Sequence, residues 1–351
     1  MNVLRTFAGC LLVITLCASA KALPMYHATA VLPPGQGSST AYSINNAGVV
    51  VGDAQPDSWP AFRWTTTQGM SILPVPSDYF AEMSHARAVN DSGVVAGYCW
   101  KQDGPRAVIW DENGMTDLGL GDAWAYGINN PGEVVGRTGP FGFVWRPGSG
   151  VTTLGYATTA WDINNAGMMA GEWDDIGHNR AVVWNSNAEM TDIGELPGSW
   201  ESAARAINNA GQVVGWSTFP TGPEPWFRGF VWSEAVGFTE IPALADALRV
   251  EAYDINDAGV VVGSLEYSAR HDAFIYTPDS GTVDLNSLLD SASQDWTLSE
   301  AYGINSLGQI VGYGFDETGL QHAFLLTPVP EPSSILAVLC GLGGLAWRGR
   351  K

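Results

Sequence analysis

The chain of 351 residues is 46% hydrophobic, carries 15 tryptophans and 42 glycines, and has a formal charge of −20 from 36 acidic against 16 basic residues. Its apolar and aromatic content excludes a disordered chain, because it can bury enough surface to offset the entropy of ordering. The charge excludes nucleic acid as a partner, since phosphate binding needs clustered Lys and Arg, and Lys occurs only at Lys21, Lys101 and Lys351.

Residues 1–22 hold one early positive charge at Arg5, an apolar stretch from Phe7 to Ala20, and small-residue sites at Ala18-Ser19-Ala20 and Ala20-Lys21-Ala22. This pattern reads as a cleaved secretory signal peptide; the alternative is a buried N-terminal helix. A lipoprotein signal fits less well, because Leu16 before Cys17 is not a small residue. Next comes a strand-like segment, YHATAVLP, from Tyr26 to Pro33.

From Ala41 onward one phrase recurs: AYSINNAGVVVG, ARAVNDSGVVAG at Ala86, AYGINNPGEVVG at Ala125, AWDINNAGMMAG at Ala160, ARAINNAGQVVG at Ala204, AYDINDAGVVVG at Ala252 and AYGINSLGQIVG at Ala301. The first asparagines, Asn45, Asn90, Asn129, Asn164, Asn208, Asn256 and Asn305, are spaced by 45, 39, 35, 44, 48 and 49 residues. The mean of about 43 falls in the range of four-stranded propeller repeats. In each copy the Asn-x-x-Gly turn joins two short strands, Asn tolerating turn geometry and Gly supplying a positive φ. One turn oxygen per unit, spread around a ring, makes no coordination shell, so no metal is expected.

Seven third strands follow, such as AFRW from Ala61 and AVVW from Ala181, but only six fourth strands, from MSILP at Met70 to TVDLN at Thr282. The last unit lacks its outer strand, and the segment Tyr26 to Pro33 is the piece that supplies it. The expected fold is therefore an all-β, seven-bladed β-propeller of four-stranded blades over residues 26–328, one domain, closed by an N-terminal strand. A linear solenoid would need capping repeats instead. Cys99 is the one cysteine between the terminal segments, so no intramolecular disulfide supports this body, whose formal charge is about −24. The repeats resemble the HAF family of extracellular repeats, and the seventh copy spells His322-Ala323-Phe324. The resemblance covers about Ala41 to Leu326 and implies an exported repeat protein, with no known reaction. Copies depart from the pattern at Val89, Pro131, Tyr276 and Leu326.

Residues 329–351 open with Pro330-Glu331-Pro332, continue as a hydrophobic helix-like segment over 333–347, and end in a basic stretch, 348–351, containing Arg348 and Arg350. Fifteen residues at about 1.5 Å each reach about 22 Å, short of a hydrocarbon core of about 30 Å. The segment resembles the PEP-CTERM sorting signal. That resemblance implies a Gram-negative bacterium, an exosortase-type processing enzyme as partner, and transient anchoring in the inner membrane. It implies delivery to the cell surface or an exopolysaccharide matrix. A plain C-terminal membrane anchor is the alternative.

Catalytic signatures are absent from the sequence: there is no Gly-x-Ser-x-Gly elbow, His-Glu-x-x-His pair, phosphate loop or dinucleotide fingerprint. The five histidines fall in different units without ligand spacing, and no sialidase-type Ser-x-Asp-x-Gly-x-x-Trp box occurs. No catalytic residue, metal or cofactor is expected. Asp162 and Asp254 occupy the small-residue position of the inner strand and read as hydrated channel lining. Paired carboxylates could meet in space as glycosidases require, which keeps a secreted glycosidase or lyase as the alternative.

The tryptophans divide by topology. Trp64, Trp110, Trp145, Trp184 and Trp232 end third strands and read as core. Trp59, Trp100, Trp124, Trp161, Trp173, Trp200, Trp216, Trp226 and Trp296 fall in or beside the loops of one variable face. Variable loops on a rigid scaffold carry binding. These nine are the ligand-face candidates for an exopolysaccharide or glycan; the alternative is that they roof the blade ends. The expected function is a non-catalytic surface or matrix module.

Overall fold

Each repeat folds into one four-stranded antiparallel sheet, and seven such blades form a β-propeller in the computed structural model, which describes residues 23–33, 37–54, 60–220 and 226–330. The innermost strands, blade 1 to blade 7, are Ser39–Ile44, Phe80–Val89, Ala123–Ile128, Thr158–Ile163, Glu201–Ile207, Arg249–Ile255 and Thr297–Ile304. Valine-rich second strands such as Val50–Ala54 and Val213–Phe219 suit this position, because β-branched side chains pack well on a pleated surface covered on both faces. The only helical turn among the described residues is a short 3₁₀ segment, Leu285–Leu288. No helix among them is long and apolar enough to cross a membrane. The signal peptide 1–22, the sorting residues Glu331, Pro332, Arg348 and Arg350, the hydrophobic segment 333–347 and Trp59 lie outside the described residues, while Pro330 is exposed at their C-terminal edge.

The ring closes as the strand count predicts. The N-terminal strand Tyr26–Val31 pairs antiparallel with Gln321–Pro328, from Tyr26 opposite Pro328 to Val31 opposite Ala323. It is the outer strand of blade 7, whose other members are Ile310–Phe315 and Thr297–Ile304.

Packing follows the blade junctions. Among the described residues seven apolar clusters each join one blade to the next; Val135 and Val144 of blade 3, for instance, meet Ala160, Met169, Val182 and Trp184 of blade 4. Val31, Val311 and Leu325 of blade 7 meet Ala41, Phe62 and Trp64 of blade 1 in the same way. Trp64, Trp110 and Trp184 are buried, and Trp145 and Trp232 are half-buried against their junctions, so the third-strand tryptophans are core. Each fully buried large side chain contributes about 1.5–3 kcal/mol. Cys99 is buried beside Met115.

The Asn-x-x-Gly turns do more than reverse the chain. Asn164 Oδ1 accepts the N–H groups of Ala166 and Met168, which shapes the turn, while its Nδ2 donates to the Asn208 carbonyl of the next blade at 3.0 Å. The same donation runs from Asn45 to Asn90, Asn90 to Asn129, Asn129 to Asn164, Asn208 to Asn256, Asn256 to Asn305, and Asn305 back to Asn45, at 2.8–3.1 Å. All seven asparagines are buried. A closed circle of side-chain amides therefore ties every blade to its neighbour at one end of the channel.

Candidate functional site

Three residues before each of these asparagines, the pairing of the inner strand with the second strand slips by one residue. The slip falls between Ala41 and Ser43, Ala86 and Ala88, Ala125 and Gly127, Ala160 and Asp162, Ala204 and Ala206, Ala252 and Asp254, and Ala301 and Gly303. A β-bulge places two residues of one strand opposite one of its partner and re-aims the extra side chain. The seven extra residues are Tyr42, Arg87, Tyr126, Trp161, Arg205, Tyr253 and Tyr302. The last glycine of the repeat accommodates the bulge: a Cβ on Gly171 would overlap the Thr159 carbonyl oxygen, and one on Gly215 that of Ala203.

With Glu251, these seven side chains line a cavity of about 380 Å³ in the channel. They also touch one another around the circle. Arg87 lies over the Tyr42 ring at 4.1 Å, and Arg205 over Trp161 at 4.3 Å. Tyr126 and Trp161 have centroids 4.5 Å apart, Tyr253 and Tyr302 5.1 Å, and Tyr302 and Tyr42 5.4 Å. Five of the seven neighbouring pairs are thus in ring or cation–π contact, each worth about 0.5–2 kcal/mol.

Charged groups stand behind and within this wall. Burial pushes the Glu172 and Glu251 carboxyls above their usual range, with Arg205 pulling against that effect. Asp53 is buried, with Oδ2 2.6 Å from His85 Nδ1 and Oδ1 accepting the Ala86 N–H; burial still raises its pKa. Tyr313 donates to Glu300 Oε1 at 3.1 Å, and burial and then Glu300 push the Tyr302 hydroxyl far up. The tyrosine hydroxyls are donors rather than phenolates at any ordinary pH.

Asp162 and Asp254 prove to be structural. Asp162 accepts the Ile163 N–H of its own blade at 2.8 Å and the Ile207 N–H of the next at 2.9 Å. Asp254 does the same with Ile255 and Ile304, both at 2.8 Å. Both oxygens of each carboxylate are engaged by backbone, so they bridge blades, and Asp162 also lines the asparagine end of the channel as expected. Burial, and then the charge of Asp162, raise the Asp254 pKa to about 7. In the unfolded chain it would titrate near 3.9. A raised carboxyl stabilises the fold fully at pH values below the unfolded pKa, and that contribution is lost as pH rises from about 4 to about 7, on the order of 4 kcal/mol in all. Asp254→Ser, which copies Ser43 of blade 1, should flatten this dependence. Thermal melts of both proteins between pH 4.5 and 8 check it: a parent that loses no more stability than the variant over that range contradicts the assignment.

The nine loop tryptophans are dispersed. Trp161 alone joins the channel ring. Trp124 stands near it, under the Arg137 guanidinium at 4.7 Å. Trp200 is 46% exposed, edge-on to His178. Trp173 and Trp296 pack against junction clusters, Trp216 stacks on Phe227 at 4.8 Å, and Trp226 lies beside Arg228. Trp100 is half-buried, in register with Phe80. Strict alternation of faces along the inner strand hid the other six ring members, because a bulge turns two consecutive residues toward the channel. The signal was nevertheless present: a large residue directly after the recurring Ala, opposite a recurring Gly.

No protein-family model matches the chain, and no curated protein matches it. Among solved structures it is similar to TolB from Acinetobacter baumannii, with a TM-score of 0.38 and 11% identity over 78% of this chain and 77% of that one. It is also similar to Porphyromonas gingivalis dipeptidyl peptidase 4, with a TM-score of 0.36 and 9% identity over 80% of this chain and 58% of that one. Both likenesses are distant, and the propeller assignment stands on the strand pairing.

Proposed function

We propose that the protein is an exported, non-catalytic binding module of the cell surface or exopolysaccharide matrix, and that it holds saccharide in the bulge-lined channel. The ring of Tyr, Trp and Arg side chains around a cavity of about 380 Å³ carries this reading. Sugars present C–H faces that stack on aromatic rings and hydroxyls that bond to carboxylates and tyrosine hydroxyls, and a preformed cavity of this size suits a small ligand. Export and sorting rest on residues 1–22 and on the PEP-CTERM resemblance of 329–351, with an exosortase-type enzyme as processing partner and the inner membrane as a transient site.

Calorimetric titration of the purified protein with a panel of bacterial polysaccharides tests the reading. Trp161→Ala with Tyr253→Ala should weaken binding by about 5- to 150-fold, since stacking is worth about 0.5–1.5 kcal/mol per ring and the two rings act together. A second variant, with Trp124, Trp200 and Trp296 replaced by Ala, separates the channel from the outer face. Binding unchanged in both variants, each folded by circular dichroism, would overturn the aromatic-site reading. The alternative, a polysaccharide-cleaving enzyme, is favoured by the raised carboxyls of Glu172 and Glu251 beside the cavity. Release of reducing ends from any of these polysaccharides, abolished by Glu251→Gln, would support it.

A further inference from the structure

Residues 23–330 contain 11 cationic side chains against 35 carboxylates. In such an excess, a guanidinium is expected to find a carboxylate, and seven of the eleven do: Lys101, Arg106, Arg146, Arg180, Arg228, Arg249 and Arg270. Among the described residues, Arg63, Arg87, Arg137 and Arg205 form no ion pair. Two of these four line the channel cavity. They stand three blades apart, the widest separation a ring of seven allows.

Their surroundings differ. Arg205 shares its side of the cavity with Glu251, close enough that the guanidinium opposes the larger effect of burial on that carboxyl. Arg87 has Tyr42 and Tyr126 as its flanking ring members and no carboxylate in the cavity wall beside it. The carboxylate behind it, Asp53, is already engaged by His85 and the Ala86 N–H. Arg87 is therefore a cation of the channel wall without an ion pair, its guanidinium over the Tyr42 ring, hydrogen-bonded to that tyrosine and within electrostatic reach of Asp53, whereas Arg205 and Glu251 together offer donors and an acceptor with little net charge.

We propose that the channel selects acidic sugars, with Arg87 receiving the carboxylate of a uronic-acid-type unit and the Arg205–Glu251 side receiving ring hydroxyls. This rests on the saccharide reading above and adds the charge of the ligand and its orientation. The planar guanidinium matches a carboxylate with two parallel hydrogen bonds, stronger than neutral ones. The flanking tyrosines supply the stacking face. A cationic or neutral ligand would leave the Arg87 charge without a partner in a half-buried wall, which is costly.

The test is a set of calorimetric titrations of the whole protein with oligomers of galacturonate, glucuronate and mannuronate, each paired with its carboxyl-reduced neutral counterpart. The parent should prefer at least one acidic oligomer over its neutral partner by about 10- to 100-fold, the value of a charge-assisted hydrogen-bonded pair. Arg87→Gln should erase that preference, lowering affinity for the acidic oligomer about 10- to 100-fold more than for its neutral partner. Arg205→Gln should weaken acidic and neutral oligomers alike, and Arg63→Gln, outside the cavity, should change neither. A folding defect would lower all affinities together and cannot mimic a lost preference. Equal affinity for acidic and neutral oligomers in the parent, or a preference that survives Arg87→Gln, overturns the proposal and leaves the saccharide reading standing. Failure of every oligomer to bind removes both.

Discussion

Deleting the N-terminal strand, Tyr26–Val31, is expected to unfold the whole ring and not merely to fray one edge. Tyr26 is 2% exposed and Val31 fully buried, and burying these two side chains alone is worth about 3–6 kcal/mol. The strand also covers Gln321–Pro328 from Ala323 to Pro328. Without it, that strand presents a free hydrogen-bonding edge and exposes Leu325 and Phe324 packing, an invitation to aggregate. A domain has about 5–15 kcal/mol of total stability, so the loss removes most of it. Size-exclusion chromatography and circular dichroism of the deletion variant should show aggregated or unfolded protein. A monomeric variant that melts within a few degrees of the parent would contradict the closure.

Breaking one link of the amide circle is expected to cost at least about 3 kcal/mol. Asn164 is 4% exposed and satisfies three backbone groups: the N–H groups of Ala166 and Met168 and the carbonyl of Asn208. Asn164→Ala leaves all three without their partner, at about 1–3 kcal/mol for each buried group. Asn164→Asp separates the two roles. It keeps both acceptor bonds of the turn but sets a carboxylate oxygen against the Asn208 carbonyl oxygen, so the damage falls on the blade junction alone. Both variants should melt at least roughly 6 °C below the parent. If Asn164→Asp melts with the parent at pH 7, the link between blades contributes nothing and the asparagine is only a turn residue.

The two features were unequally legible in the sequence. The closure could be read from counting: seven third strands, six fourth strands and an orphan strand at Tyr26 leave one arrangement for a ring. The turn role of Asn164 was legible too, because its partners Ala166 and Met168 are local. Its second partner lies 44 residues away on another blade, and no periodicity within one repeat reveals it. The channel ring was hidden for a related reason. Period-two reasoning assigns Asp162 to the channel and its neighbour Trp161 elsewhere, while the bulge sends both inward. The blade-bridging role of Asp162 and Asp254 depends on the Ile207 and Ile304 N–H groups, again contributed by the following blade.

The bulge has a consequence for how such a protein diversifies. The side chain at each slip position takes no part in the strand ladder or the blade-junction cores, so the scaffold places few demands on its identity. Four tyrosines, two arginines and a tryptophan already occupy seven equivalent sites, at matched height and facing a common axis. Exchanging one of them alters the interior without asking the framework to refold, and seven such sites give a very large number of distinct interiors. The ring is a set of interchangeable sockets, and kin built on the same frame can differ in what they hold by substitutions at these seven sites alone.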